Sequence, residues 1–119
     1  MIDIIKKFEA ISSYFSPKII GEVNDVFVKI VKVKGEDIPW HNHEHEDELF
    51  YVLEGSLLFE EEGKESFTMN AGNMYTVKKG VNHRISSVEE CKLMLIENKT
   101  TAHTGTVKTA ITKSLGDQL

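Results

Sequence analysis

The sequence is poor in cysteine, basic clusters and long apolar runs, and each shortage excludes a class of protein. A single cysteine, Cys91, rules out an intrachain disulfide. No stretch approaches the ~20 apolar residues of a membrane span, and the N-terminal segment lacks the continuous apolar run of a signal peptide. Lysine and arginine number 14 against 19 acidic residues, and they form no stripe that could neutralise a row of phosphates. We therefore expect a cytoplasmic protein with neither nucleic acid nor membrane as a partner.

The length of the chain predicts a single domain. The 119 residues are 40% hydrophobic, which is enough for one core but not for a second substrate-binding domain. Residues 98–119 are small and polar in character, so we expect a barrel core over about 17–97 and a C-terminal arm over 98–119. A short ordered patch is expected in that arm near Val107 to Ile111.

The pattern of apolar residues predicts a short helix followed by strands. Ile4, Ile5, Phe8 and Ile11 recur at helical spacing, and the helix should end before Pro17. Short runs cut by turn residues follow: KIIGEV, VFVKIVKV, ELFYVLE, SLLFEEE, ESFTM, NMYTV, HRISSV and CKLMLIE. Turn signals recurring about every 8–12 residues are typical of an antiparallel sandwich or barrel. The fold class is therefore all-β with a short N-terminal helix.

Two of these strands permit more than one interpretation. In VFVKIVKV the apolar phase slips, which indicates either a bulge near Ile30 or a strand buried on both faces. In ELFYVLE, one set of alternate residues should point inwards, namely Glu48, Phe50 and Val52. The outward set, Leu49, Tyr51 and Leu53, is also largely apolar. Either the N-terminal helix covers this face, or it is the interface of a homodimer.

The segment WHNHEHEDELF concentrates imidazole and carboxylate groups in front of a strand. His41 and His43 share one side of an extended chain, as two ligands of one metal ion must. A bend over Glu44 to Asp47 would let Glu48 open the next strand facing the same cavity. His83 is the remaining candidate in the β-rich region. Three neutral imidazoles and one carboxylate would give a divalent ion a net charge of +1 and, in a six-coordinate site, leave two positions open.

Other residues near this segment have simpler interpretations. A His43/His45 ligand pair would leave His41 idle, so His45 is expected at the turn. Asp47 either orients an imidazole or faces water. His103 is expected in the tail, away from the pocket rather than folded back over it. Arg84 either holds an anionic group or points outwards, and Cys91 reads as an inert buried thiol.

The spacing around the histidines resembles the first motif of the cupin family. Gly35 is followed after five residues by His41 and His43, after four more by Glu48, and after six more by Gly55. This arrangement fits every fixed position of the motif.

A second cupin motif is matched less completely. Gly72, five residues, Lys78-x-Gly80, two residues and His83 follow the pattern. Lys78 stands where the family has proline, and Ser87 where it often has asparagine. Neither position is a metal ligand in the family, so the departures concern only the turn and its packing.

The resemblance covers about residues 17–97 and is greatest to small stand-alone cupins described as mannose-6-phosphate isomerase-like. It implies a double-stranded β-helix, that is, a jelly-roll barrel, and commonly a homodimer. It also implies a divalent transition metal (Mn, Fe, Ni, Co, Cu or Zn) held by His41, His43, Glu48 and His83. We therefore expect a small-molecule ligand in the barrel, with isomerase-like (sugar-phosphate) or oxygenase-like chemistry. The alternative is a non-enzymatic binding or sensing protein, which would act through a partner protein.

Overall fold

The structure, a computed structural model, describes residues 1–105, 107 and 112–119. Of the ordered patch expected near Val107 to Ile111, residues 108–111 lie outside this range. Among the described residues, no helix has the length and apolar character needed to cross a membrane.

The expected N-terminal helix is present and short. Helix α1 spans Ile4–Glu9, and the side chain of Asp3 caps it by accepting a hydrogen bond from the Lys6 amide at 3.2 Å. Phe8 is buried, whereas Ile5 is 72% exposed. Ile5, which also fits the helical spacing, lies outside the buried face, because a helix of six residues presents only one narrow stripe to the sheet.

Among the described residues, seven antiparallel strands follow, and a 3-10 turn lies near the C-terminus. The strands are β1 (Lys18–Val23), β2 (Val26–Gly35), β3 (Glu48–Glu54), β4 (Ser56–Glu61), β5 (Phe67–Asn70), β6 (Met74–Val77) and β7 (His83–Asn98), and the turn is Gly116–Gln118. The all-β prediction with a short N-terminal helix is confirmed.

The strands are organised around β7. One path runs β1-β2-β7-β3-β6, and β7 also pairs with β4, which pairs with β5. The sequence pattern indicated two separate strands here, HRISSV and CKLMLIE, but they form one strand of 16 residues. Its first residues pair with β4, and the rest pair with β2 and β3. β7 therefore joins the two sides of the barrel.

Strand β2 is buried on both faces. Ile30 packs beneath α1, while Val31 and Val33 belong to the barrel core. The pairing of β2 with β7 continues through Ile30 without a shift, so the alternative of a bulge there is wrong. The irregularity lies in the neighbouring strand instead, between Ile19 and Gly21 of β1.

Strand β3 carries the alternation that was predicted from its sequence. The inward-pointing residues are Glu48, Phe50 and Val52, and all three are buried. On the opposite face Leu53 packs against the apolar cluster of α1, which supports cover by the helix at this end of the strand. Leu49 and Tyr51 are half-buried. The homodimer remains a prediction.

Two turn glycines adopt left-handed backbone angles in different surroundings. Gly55, between β3 and β4, has φ +87°, and a Cβ there would lie 2.7 Å from the carbonyl oxygen of Glu90. Gly63, at the tip of the β4–β5 hairpin, has φ +84° but faces open space. Only the first glycine is required by close packing as well as by backbone conformation.

The C-terminal arm packs back onto the barrel. Gly105 packs so closely against the carbonyl oxygen of Asn42 that a Cβ would clash with it, so the arm touches the loop between β2 and β3 directly. Further along, Lys18 donates to the carbonyl oxygen of Asp117 at 2.8 Å. Gln118, 2% exposed, accepts a hydrogen bond from the buried Lys29. The end of the chain is thus inserted into the fold.

Candidate metal centre

Backbone hydrogen bonds join the two histidine-bearing segments. The His41 amide donates to the His83 carbonyl at 3.1 Å, and the His83 amide donates to the His41 carbonyl at 2.8 Å. His83 is the first residue of β7, and His41 lies in the loop before β3. This isolated bridge sets the two imidazoles side by side, with ring centroids 4.5 Å apart.

The loop before β3 is fixed to the turn that precedes His83. The Gly80 amide donates to the His43 carbonyl at 2.8 Å, and the Lys79 amide donates to the Asp47 carboxylate at 2.9 Å. Asp47 therefore does not orient an imidazole: its side chain is exposed, as the second alternative predicted, and its carboxylate also anchors the turn. With the loop held in this way, β3 begins at Glu48 with its side chain directed into the barrel.

The four side chains of His41, His43, Glu48 and His83 converge on one point. Each offers a ligand atom, and these atoms all lie within 4.8 Å of one another. All four residues are buried, and His83 is fully so. The carboxylate oxygen Oε1 of Glu48 lies 3.3 Å from Nε2 of His43 and 3.5 Å from Nε2 of His83.

The hydrogen bonds of two imidazoles fix which nitrogen is free. Nδ1 of His41 lies 2.8 Å from the Pro39 carbonyl oxygen, and Nδ1 of His83 lies 3.0 Å from that of Val81. A carbonyl oxygen only accepts, so each Nδ1 carries the proton. Each Nε2 therefore has a free lone pair, as a metal-binding imidazole requires.

Several buried nitrogens of the cluster lack a hydrogen-bond partner among the described residues. They are both ring nitrogens of His43 and Nε2 of His83. Leaving a buried polar atom unpaired costs about 1–3 kcal/mol. Nitrogen and carboxylate donors that converge without bonding to one another are the arrangement that a divalent transition metal takes as ligands. The residues present therefore fit a metal ion.

The protonation states also suit a metal ion. Burial, together with the neighbouring His83, lowers the pKa of His41 to about 4. Burial alone would raise the pKa of Glu48, but its close contacts with Glu97, His43 and His83 outweigh it and hold that pKa well below its usual range. At neutral pH His41 is thus neutral and Glu48 ionised, which are the forms that bind metals.

A buried charged network lies behind Glu48, and the sequence reasoning missed it. Glu97 on β7 is paired in register with Glu48 on β3, and its carboxylate lies 2.7 Å from Nζ of Lys29. Burial and the charge of Glu48 raise the pKa of Glu97 well above its usual range. A signal was available, because Glu97 continues the inward alternation of Cys91 and Leu95.

The cluster opens onto a small cavity with mostly apolar walls. Its volume is about 30 Å³. The apolar lining residues are Phe15, Pro17, Val31, Val33, Ile38, Phe50, Ile85 and Leu95, and the polar ones are His41, Glu48, His83 and His103. The expectation that His103 lies away from the pocket is therefore wrong: the arm folds back and brings this side chain to the cavity.

The remaining candidate residues lie outside the cluster. The side chain of His45 is 80% exposed, so the rival His43/His45 pair does not form. Arg84 points outwards and binds the Glu60 carboxylate at 3.0 and 3.1 Å. Cys91 is fully buried, and burial raises its pKa to about 11, in keeping with an inert thiol.

Known proteins resemble this chain in both sequence and fold. Residues 28–97 match the family model described as the cupin domain. The uncharacterized protein YdbB of Bacillus subtilis (strain 168) is 39% identical over 80 residues, covering 67% of this chain and 70% of YdbB.

Two solved structures extend the comparison. A cupin-2 domain containing protein from Shewanella frigidimarina has 42% identity and a TM-score of 0.78, over 82% of this chain and 93% of that one. Protein NMB1881 from Neisseria meningitidis has 32% identity and a TM-score of 0.75, over 82% of this chain and 98% of that one. With the antiparallel barrel and both histidine motifs in place, the chain belongs to the cupin family.

Proposed function

We propose that this protein is a metal-dependent cupin that binds or transforms a small molecule inside its barrel. In this proposal His41, His43, Glu48 and His83 hold one divalent transition metal: Mn, Fe, Ni, Co, Cu or Zn. The observation that carries the proposal is the convergence of four buried ligand atoms within 4.8 Å, with Nε2 left free on His41 and His83. Such an ion, when bound, supplies a Lewis acid for an oxygen of the ligand.

The chain itself would position the ligand and exclude water. The aromatic and aliphatic walls of the cavity keep its dielectric constant low, which strengthens electrostatic interactions inside it. The Glu48 carboxylate lowers the charge of a divalent site from +2 to +1. A site with this residual charge favours a ligand that brings one anionic oxygen.

The size and lining of the cavity support a compact ligand over a sugar phosphate. A bound water needs ~10–15 Å³ on the same measure, so the free space of about 30 Å³ admits roughly two waters. None of the described lining residues is a lysine or arginine that could pair with a phosphate. Oxygenase-like chemistry on a small molecule is therefore favoured over sugar-phosphate isomerisation, which would require the arm to leave the barrel.

A non-enzymatic binding protein is the second candidate. The C-terminal arm packs against the loop before β3 and brings His103 to the cavity, which suits the retention of a small ligand or ion better than rapid turnover. Apart from three of the proposed ligands, His41, Glu48 and His83, the polar lining of the cavity consists of His103 among the described residues. A sensing role would then need a partner protein to transmit the signal.

The metal content of the purified protein tests the proposal. Protein prepared without chelators should contain close to one transition-metal ion per chain, as measured by elemental analysis. The His41→Ala/His43→Ala variant should lose this ion while keeping its β-sheet circular dichroism, and the exposed His45→Ala variant should retain it. A double variant that keeps the ion would refute the site. Oxygen-uptake and sugar-phosphate isomerase assays on metal-loaded protein would then separate the two chemistries.

The homodimer is also part of the proposal. The outer face of the β3–β6 pair presents the half-buried Leu49 and Tyr51 beside Met74, which is 64% exposed. Light scattering should give twice the chain mass, and Tyr51→Lys should shift it towards the monomer. An unchanged dimer in this variant would place the interface elsewhere.

A further inference from the structure

His103 occupies a defined position at the cavity that holds the proposed metal ligands. It lines this cavity together with His41, Glu48 and His83. Its place is set by the neighbouring Gly105, which packs against the backbone of Asn42 so closely that a Cβ would clash with the carbonyl oxygen. The imidazole is therefore held at the cavity by the fold of the arm.

The hydrogen bond of His103 fixes a tautomer opposite to that of the proposed metal ligands. The backbone amide of Lys113 donates to Nδ1 of His103 at 2.8 Å. Because an amide N–H only donates, Nδ1 carries no proton, and the neutral ring must carry it on Nε2. Burial lowers the pKa of His103 to about 4, so the ring is neutral at pH 7. His41 and His83 have the reverse arrangement, with the proton on Nδ1.

The remaining N–H of His103 has no acceptor among residues 1–105, 107 and 112–119. The two nitrogens of an imidazole point in widely different directions, and Nδ1 faces the backbone of the arm at Lys113. Nε2 therefore faces away from that backbone. The ring of His103 is half-buried and lines the cavity. A metal ion binds an imidazole nitrogen through its lone pair, and a protonated Nε2 has none to offer. Nε2 of His103 is therefore suited to donating a hydrogen bond to a bound ligand rather than to binding the ion.

We infer that His103 is a ligand-binding residue whose Nε2–H donates a hydrogen bond to an oxygen of a small carboxylate held at the open positions of the metal. This inference rests on the proposed function, and it adds the class of ligand and the group that recognises it. The site charge of +1 favours an anion, and the apolar walls favour a small one. The N–H would then make a charge-assisted hydrogen bond, which is stronger than one to a neutral oxygen.

The tautomer can be measured without any metal. A long-range ¹H–¹⁵N correlation spectrum of the metal-free protein at pH 7 should show His103 protonated on Nε2, and His41 and His83 protonated on Nδ1. A spectrum with the His103 proton on Nδ1 would overturn the inference, whatever the metal content of the protein.

Ligand binding can be measured on Co(II)-loaded protein, with formate as the probe and the visible absorption of cobalt as the signal. His103→Phe should bind Co(II) as the wild type does but bind formate roughly 10- to 100-fold more weakly, because a hydrogen bond to a charged group is lost. His103→Gln, which keeps an N–H donor, should restore part of the affinity. His45→Phe is the matched control, since the side chain of His45 is 80% exposed, and should behave as the wild type.

The outcomes distinguish this inference from the proposal beneath it. Equal formate affinity in the wild type and His103→Phe would overturn the inference and leave the metal site intact. Loss of Co(II) in a folded His103→Phe protein would make His103 a metal ligand and overturn the inference as well. A wild-type protein that binds no Co(II) would refute the proposed function itself.

Discussion

Replacing Lys29 by methionine would leave the carboxyl group of Glu97 buried without its cation. The ammonium and carboxylate lie 2.7 Å apart, with side-chain exposures of 1% and 3%. Removing one partner of such a buried pair costs about 3–5 kcal/mol. The side-chain oxygen of Gln118 would also lose the hydrogen bond that it accepts from the Lys29 ammonium. We therefore expect Lys29→Met to lower the free energy of unfolding by about 3–5 kcal/mol at pH 8.

The cost of this substitution should depend on pH. Burial and the nearby Glu48 already raise the pKa of Glu97, and the loss of Lys29 removes the main influence that opposes the rise. A carboxyl whose folded-state pKa is raised binds its proton more tightly in the folded than in the unfolded state. The free energy of unfolding therefore falls as pH rises above the ordinary glutamate pKa. Lys29→Met should accordingly be less destabilising at pH 5 than at pH 8.

Urea denaturation of three variants at pH 5 and pH 8 would test this reasoning. The double variant Lys29→Met/Glu97→Gln should recover most of the loss, because neither side chain is then charged. Lys99→Met is the matched control: Lys99 lies 2.8 Å from Glu22 and, like Lys29, over the ring of Phe27, but this pair is 35% and 61% exposed. Its cost should be at most about 1 kcal/mol. Equal costs for the two lysine variants, or a Lys29→Met cost that does not change with pH, would refute the reasoning.

Three further predictions concern backbone strain, pH and thiol reactivity. Gly63→Ala should lower the free energy of unfolding by about 1 kcal/mol, because its backbone is left-handed. Gly55→Ala should lower it by about 3 kcal/mol, because its Cβ also meets a carbonyl oxygen at 2.7 Å. Equal denaturation midpoints would contradict this difference. Protons bind His41 and His103 near pH 4 in the folded protein but near pH 6.5 when unfolded. The unfolded state therefore binds more protons on these histidines between these values. In chelator-treated Lys29→Met/Glu97→Gln protein, where the opposing titration of Glu97 is removed, the melting temperature should fall as pH is lowered from 7.5 to 5; a constant or rising temperature would argue against it. Cys91, with a pKa of about 11 and no exposure, should react with iodoacetamide at pH 8 only after urea is added, and rapid labelling of the folded protein would disprove this.

The local sequence pattern was sufficient to predict the strands and to identify the candidate ligands. The alternation of β3 fixes the direction of Glu48, because side chains of a strand alternate between its faces. The bend before β3 could be inferred from polar residues, and it brings His41, His43 and Glu48 to one side. These features depend on residues within a few positions of one another, which is the range over which a sequence pattern is informative.

Contacts between distant parts of the chain could not be predicted in the same way. The position of His103 depends on the packing of Gly105 against Asn42, and no period in the sequence relates the arm to that loop. The burial of Lys29 depends on acceptors from β7 and from the C-terminal turn. From its charge alone, the side chain of Lys29 would be expected at the surface. Both cases involve polar groups whose partners are supplied by tertiary structure.

The paired backbone bonds between His41 and His83 have a consequence for how metals would be exchanged. Neither residue can rotate away without breaking a bond that the other shares, so the spacing of these two donors is set by the main chain before any ion arrives. Divalent ions that prefer different coordination geometries would then meet the same fixed spacing between the His41 and His83 donors.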